Sequence, residues 1–114
     1  MADIIPLKRV HIGGGQHILV GCRVNGKQEL GIVDTGANVT ILLCAAHSPK
    51  LNAGTLDVSI GDRSFEFPRF NSMTNQHIER AYASADIPLP AIVIGMDILS
   101  NAVIDLKAGT MTLD

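Results

Sequence analysis

Residues 33–42 read Val33-Asp34-Thr35-Gly36-Ala37-Asn38-Val39-Thr40-Ile41-Leu42. They place a carboxylic acid at the end of an apolar run, follow it with a hydroxyl and a glycine, and return to apolar residues. An acid in that position is costly unless local donors satisfy its oxygens or the group takes part in chemistry. The chemistry open to it is proton transfer, and Gly36 lacks a Cβ, so its backbone N–H can approach a carboxylate closely. The competing reading is a turn residue satisfied by nearby amides. A tripeptide of Asp, Ser or Thr, and Gly arises by chance in roughly one chain in twenty of this length, so its context must decide. It occurs once here.

Other chemistry-bearing residues do not gather. His11, His17, His47 and His77 show no His-x₃-His or Glu partner spacing, so no metal site is expected. Cys22 and Cys44 lack zinc spacing and sit in apolar surroundings, as buried thiols do in a reducing compartment. Gly13-Gly14-Gly15 has neither the following helix nor the Lys-Ser/Thr of a phosphate cradle, and reads as a flexible surface loop. Asp97 reads as an acid in the first turn of a helix, Asp105 as an outward strand residue, and Phe65 and Phe67 as packing residues.

The elements that must position Asp34 are strands. Ile18, Val20, Cys22 and Val24 alternate with Leu19, Gly21 and Arg23, a period-two pattern with one apolar face. Asn25-Gly26 is a strong hairpin signal, because a type I′ turn needs positive φ at both central residues. The return strand, Gln28 to Val33, runs directly into Asp34. Val39 to Leu43 is a short apolar run, and Ser48-Pro49 marks a break. Leu56 to Phe67 reads as a hairpin turning at Gly61-Asp62, whereas 68–86 shows no clean period. Ala91-Ile92-Val93-Ile94 suits a buried strand, Met96 to Asn101 a short helix, and Val103 to Leu113 a terminal hairpin. About eight short strands with regular turns predict an all-β closed barrel or sandwich, formed by a single domain over 1–114.

Asp34-Thr35-Gly36-Ala37 and Ile94-Gly95-Met96-Asp97-Ile98-Leu99, with Ile104-Asp105-Leu106 and the Gly109-Thr110 strand after them, resemble the retropepsin-like aspartic proteases. The order matches from about Ile18 to the C-terminus, and Gly-Met-Asp-Ile-Leu looks closer to the bacterial and cellular branch than to the retroviral one. The resemblance implies a closed retropepsin-like barrel with one short C-terminal helix. It also implies a homodimer in which one Asp34 from each chain faces a shared water and hydrolyses a peptide or protein substrate. Two carboxylates at such range hold one proton between them, so activity would favour acidic to mildly acidic pH. By the same resemblance, Thr35 would bond across the two-fold axis and Gly36 would donate its N–H to the carboxylates. Ala37, Asn38, Gly61, Asp62 and Ile94 would contact substrate or support its cleft. Ile4 to Leu7 and Thr110 to Leu113 would interleave between subunits, and the flap over substrate would be the hairpin from Leu56 to Phe67 or be built from the segment around Asn71 to Gln76. Asn38 and Met96 stand where retroviral members carry an acid and an arginine, so that ion pair is absent. No glycine occurs between Gly61 and Gly95, so a glycine-rich flap tip is missing. The alternative is a catalytically silent dimerisation or peptide-binding module on the same fold.

Composition sets the outer limits. With 114 residues, 46% hydrophobic and 4% aromatic, the core must be aliphatic. A net charge of −2 without like-charge blocks points to neither nucleic acid nor an anionic membrane as partner. No apolar run approaches a membrane span. Met1 to Val10, with Asp3 and Pro6, does not read as a signal peptide, so a cytoplasmic location is expected. No cofactor is implied.

Overall fold

The computed structural model describes residues 3–44 and 54–113; the Ser48-Pro49 break and His47 lie outside them. Within these residues the strands are β1 (Asp3–Ile12), β2 (Gly15–Val24), β3 (Lys27–Val33), β4 (Ile41–Leu43), β5 (Leu56–Ile60), β6 (Arg63–Phe67) and β7 (Asn71–Met73). Helix α1 (Gln76–Ser84), β8 (Ile92–Ile94), α2 (Met96–Leu99), β9 (Ala102–Asp105) and β10 (Thr110–Leu113) follow. None of these helices is long and apolar enough to cross a membrane.

Two tight hairpins begin the chain. Ile12 pairs with Gly15, and Gly13 and Gly14 take φ of +57° and +85°. The glycine triplet is thus a two-residue turn rather than a loose loop, in a region where a Cβ would be strained. Asn25 and Gly26, at φ 49° and 83°, close the expected hairpin and pair Val24 with Lys27. The β5–β6 hairpin also forms as read, and β5 joins the far end of β2 through Arg23↔Ser59 and Val24↔Val58.

The long path runs β7-β4-β8-β3-β2-β1-β10-β9. β1 carries it around a corner: Asp3 to Pro6 pair with β10, and Leu7 to Ile12 pair with β2. The strands at the two ends, β7 and β9, have three and four residues and do not pair with each other. The sheet is therefore open where a closed barrel was expected.

A helix takes the covering role that closure would have played. Asn75 caps α1 by accepting from the Ile78 N–H at 3.1 Å, and Ile78, Ala81 and Tyr82 then fall on one face. They pack with Leu19, Ile32 and Val93 in a second apolar cluster. Val20, Ile92 and Ile94 belong to the main cluster with Leu56, Ile98 and Met111. Adjacent residues on one strand point to opposite faces, so the central strands are buried on both sides. Leu19 and Val20 are each 1% exposed, which corrects the one-faced reading of this strand. Among the described residues the molecule is mostly β, with two helices where one was expected.

Burial leaves two protonated groups in the interior. Cys22 lies in the main cluster, where burial first and nearby Glu29 second push its thiol up to about 11. Burial pushes the Tyr82 phenol up to about 12. The unfolded chain releases these protons near 9 and 10, so above those values the folded state holds more protons. Stability is therefore expected to fall as pH rises through 9 to 11 for Cys22 and 10 to 12 for Tyr82, by about 1.4 kcal/mol per pH unit per group. Urea titrations at stepped pH check this: Cys22→Val should flatten the first window and Tyr82→Phe the second.

Candidate active site

β8 is inserted between β3 and β4. It runs parallel to β3, with Val33 beside Ile94, and antiparallel to β4, with Ile41 beside Val93. The chain leaving β3 must therefore cross the end of β8 to reach β4, and the crossing segment is 34–40. Its first residue, Asp34, donates its backbone N–H to the Ile94 carbonyl at 3.0 Å. Its side chain turns back on its own loop, where Oδ1 accepts from the Gly36 N–H at 2.9 Å. Among the described residues the other oxygen, Oδ2, accepts no hydrogen bond. Asp34, Thr35 and Gly36 are all exposed in the single chain.

The loop rests on Gly95. A Cβ built there would lie 2.5 Å from the Val39 carbonyl carbon and oxygen, and 2.9 Å from the Ala37 oxygen. These are backbone atoms with no rotamer to yield, so only glycine fits. The Met96 N–H donates to the Ala37 carbonyl at 2.8 Å. Thr40, 3% exposed, joins three groups: its Oγ1 accepts from the Gly95 N–H at 3.1 Å and donates to Asp97 Oδ1 at 2.7 Å, while its N–H donates to Asp97 Oδ2 at 2.8 Å. Asp97 does sit in the first turn of α2. Its carboxylate, however, is occupied by Thr40, a role that its helix position did not suggest.

A cavity of about 380 Å³ opens beside Asp34. Ile32, Ala37, Ile41, Met73, Ile78 and Val93 are among its apolar lining, and Asp34, His17 and Gln16 its polar lining. Met73 and Ile78 come from the stretch that showed no period, and His17 had been set aside as a scattered histidine. Ala37 lines the cavity as expected. Asn38 is exposed on the loop, and Ile94 is fully buried, supporting the loop through its carbonyl. Gly61 and Asp62 are not brought to Asp34. The Asp62 N–H donates to Asp3 Oδ2 at 2.7 Å, and Gly61 approaches Asp3 and Ile5. The hairpin expected as a flap is thus pinned to the start of β1. Ile4 to Pro6 and β10 pair within the chain, Ile4 beside Thr112. Among the described residues no three His, Cys, Asp or Glu side chains cluster as metal ligands would.

No protein-family model matches this sequence, and no curated protein does. Among solved structures, the chain is similar to the crystal structure of a retropepsin-like aspartic protease from Rickettsia conorii. The TM-score is 0.52 at 22% identity, covering 99% of this chain and 89% of that one. The fold is retropepsin-like. This likeness bears on the fold and leaves the residues to be argued on their own chemistry.

Two substitutions test the loop's support. Gly95→Ala forces backbone apart and should cost roughly 1–3 kcal/mol or more in urea unfolding. Thr40→Val keeps the shape but leaves the Gly95 N–H and one Asp97 oxygen without their partner, and should cost about 1–3 kcal/mol. In ¹⁵N–¹H spectra of Thr40→Val the largest shifts should fall on residues 34–40 and 95–97.

Proposed function

We propose that this protein is an aspartic endopeptidase whose active site is completed by a second copy of the same chain. The observation that carries the reading is the placement of Asp34: an exposed carboxylate on a braced loop, with one oxygen held by the Gly36 N–H and the other open, beside a cavity lined by both apolar and polar side chains on a retropepsin-like fold. Among the described residues this cavity holds one acid. General acid–base hydrolysis of an amide needs one group to accept a proton from water and another to protonate the carbonyl oxygen. A second Asp34 supplies it.

In the dimer the two carboxylates share one proton. The ionised member takes a proton from water as the water oxygen bonds to the peptide carbonyl carbon, and the protonated member gives its proton to the carbonyl oxygen. The tetrahedral diol then collapses: the ionised member takes the proton of one diol hydroxyl as its C=O re-forms, the C–N bond breaks, and the nitrogen takes the proton of the other member, so the dyad again holds one proton. Apparent pKa values belong to the pair. Thr35, exposed at the loop's outer edge, is available to bond to its counterpart. Substrate lies extended along the cleft with apolar side chains in alternate pockets, and no cofactor takes part.

Asp34→Asn is the deciding variant. Its amide oxygen can still accept from Gly36, so the fold and the sedimentation behaviour should match wild type. Peptide hydrolysis should fall by at least about 10²–10⁴-fold. Cleavage at the wild-type rate would overturn the mechanism.

A further inference from the structure

We infer that the cavity beside Asp34 is a subsite for an uncharged side chain with a carbonyl acceptor on an apolar stem, namely glutamine, and that His17, oriented by Tyr82, is its specificity determinant. The inference rests on the peptidase reading and names what that cleft selects.

His17 reaches the cavity through strand register. Leu19 lies opposite Ile32 in the β2–β3 pair. The pairing ends there, and two residues further along each chain His17 and Asp34 both reach the lining of the cavity. The His17 ring meets the Tyr82 ring at 5.5 Å between centroids, and Nδ1 lies 2.7 Å from the Tyr82 hydroxyl.

That contact sets the tautomer. Tyr82 is fully buried, and among the described residues its hydroxyl meets no partner but His17. A buried O–H without an acceptor is costly, so the phenol donates to Nδ1. The imidazole proton then sits on Nε2, which has no partner among the described residues. His17 therefore offers the cavity one N–H donor held in a fixed ring orientation, the arrangement by which a second residue commonly orients a histidine.

The rest of the cavity decides the ligand. Its apolar walls, including Ile18, Ile32 and Ile78, suit a methylene stem, and the His17 donor suits an acceptor at the tip. Asp34 opens on the same space, so a carboxylate tip meets a like charge. Glutamine satisfies all three conditions. Methionine matches its stem without a strong acceptor, and glutamate adds the charge.

The test compares kcat/KM, at a pH where free imidazole is mostly neutral, for three otherwise identical peptides carrying Gln, Met or Glu beside the scissile bond. Wild type should prefer Gln over both by about tenfold, the worth of one hydrogen bond. His17→Leu should bring the Gln/Met ratio to one or below, His17→Gln should restore part of it, and Tyr82→Phe should lower it severalfold. Independently of cleavage, ¹⁵N shifts of the His17 ring should show the Nε2–H form in wild type. N-acetyl-glutamine methylamide should move the Nε2 signal, and the methionine analogue should not. A Gln/Met ratio unchanged in His17→Leu, an Nδ1–H ring, or equal response to both amides would overturn the subsite. If no peptide is cleaved while the ring responds to the glutamine amide alone, the peptidase reading fails and the subsite stands.

Discussion

The constraint on which the site depends is the insertion of β8 between β3 and β4. Because β8 runs parallel to β3, both strands end on the same edge, with Val33 beside Ile94. The chain must step over that end to continue into β4, and the step has to be low enough for the strands on either side to stay hydrogen-bonded. Gly95 makes it low, since backbone lies where a Cβ would be. Once Ala37 and Val39 rest on Gly95, Asp34 has little freedom: its N–H is tied to Ile94 and its carboxylate leans on Gly36. Thr40 and Asp97 then lock the outgoing side of the loop to α2. The exposed acid therefore sits on a loop braced from both sides.

The second face of the same strands explains why there is an open sheet and a helix instead of a closed barrel. Leu19, Ile32 and Val93 are apolar on the side away from the main core, and exposed they would forgo roughly 1.5–3 kcal/mol each. Tyr82, Ile78 and Ala81 of α1 cover them. This arrangement buries one aromatic ring in an otherwise aliphatic interior and puts its hydroxyl against His17. The second apolar cluster and the wall of the cavity thus share residues, Ile78 among them.

Much of this was legible in the residues. The Asn25-Gly26 turn, the strand into Asp34, the apolar run ending at Gly95, the β5–β6 hairpin and the terminal hairpin all follow from local patterns with a period of two and strong turn signals. The readings that failed did so where tertiary contacts outweigh local pattern. Gly13-Gly14 is locally permissive, and only the pairing of Ile12 with Gly15 makes it a turn. Helix α1 spans nine residues with one buried side chain, too little apolar surface for a clear period. Asn75 with Ile78, Ala81 and Tyr82 behind it was nonetheless a readable cap and face. Gly61-Asp62 is a turn at the tip of a hairpin, and no local feature says which way a hairpin leans. Asp3, far away in sequence, decides that.

The neighbourhood of Asp34 carries the same lesson in the opposite direction, because there a local signal determines a distant contact. A two-residue turn at Asn25-Gly26 admits one register, in which Val24 faces Lys27 and each later pair is fixed in turn, to Leu19 and Ile32. Shifting it by one residue would send the apolar set on each strand to the wrong face, and with both faces buried neither direction of slip is tolerated. The register that the core enforces is thus one in which His17 and Asp34 reach a common cavity. A histidine that looked isolated along the chain lines the same space as the acid. The loop that presents Asp34 and the strand that presents His17 are held by different contacts, Gly95 on one side and the hairpin register on the other. Asp34 and His17 thus reach one cavity by independent supports.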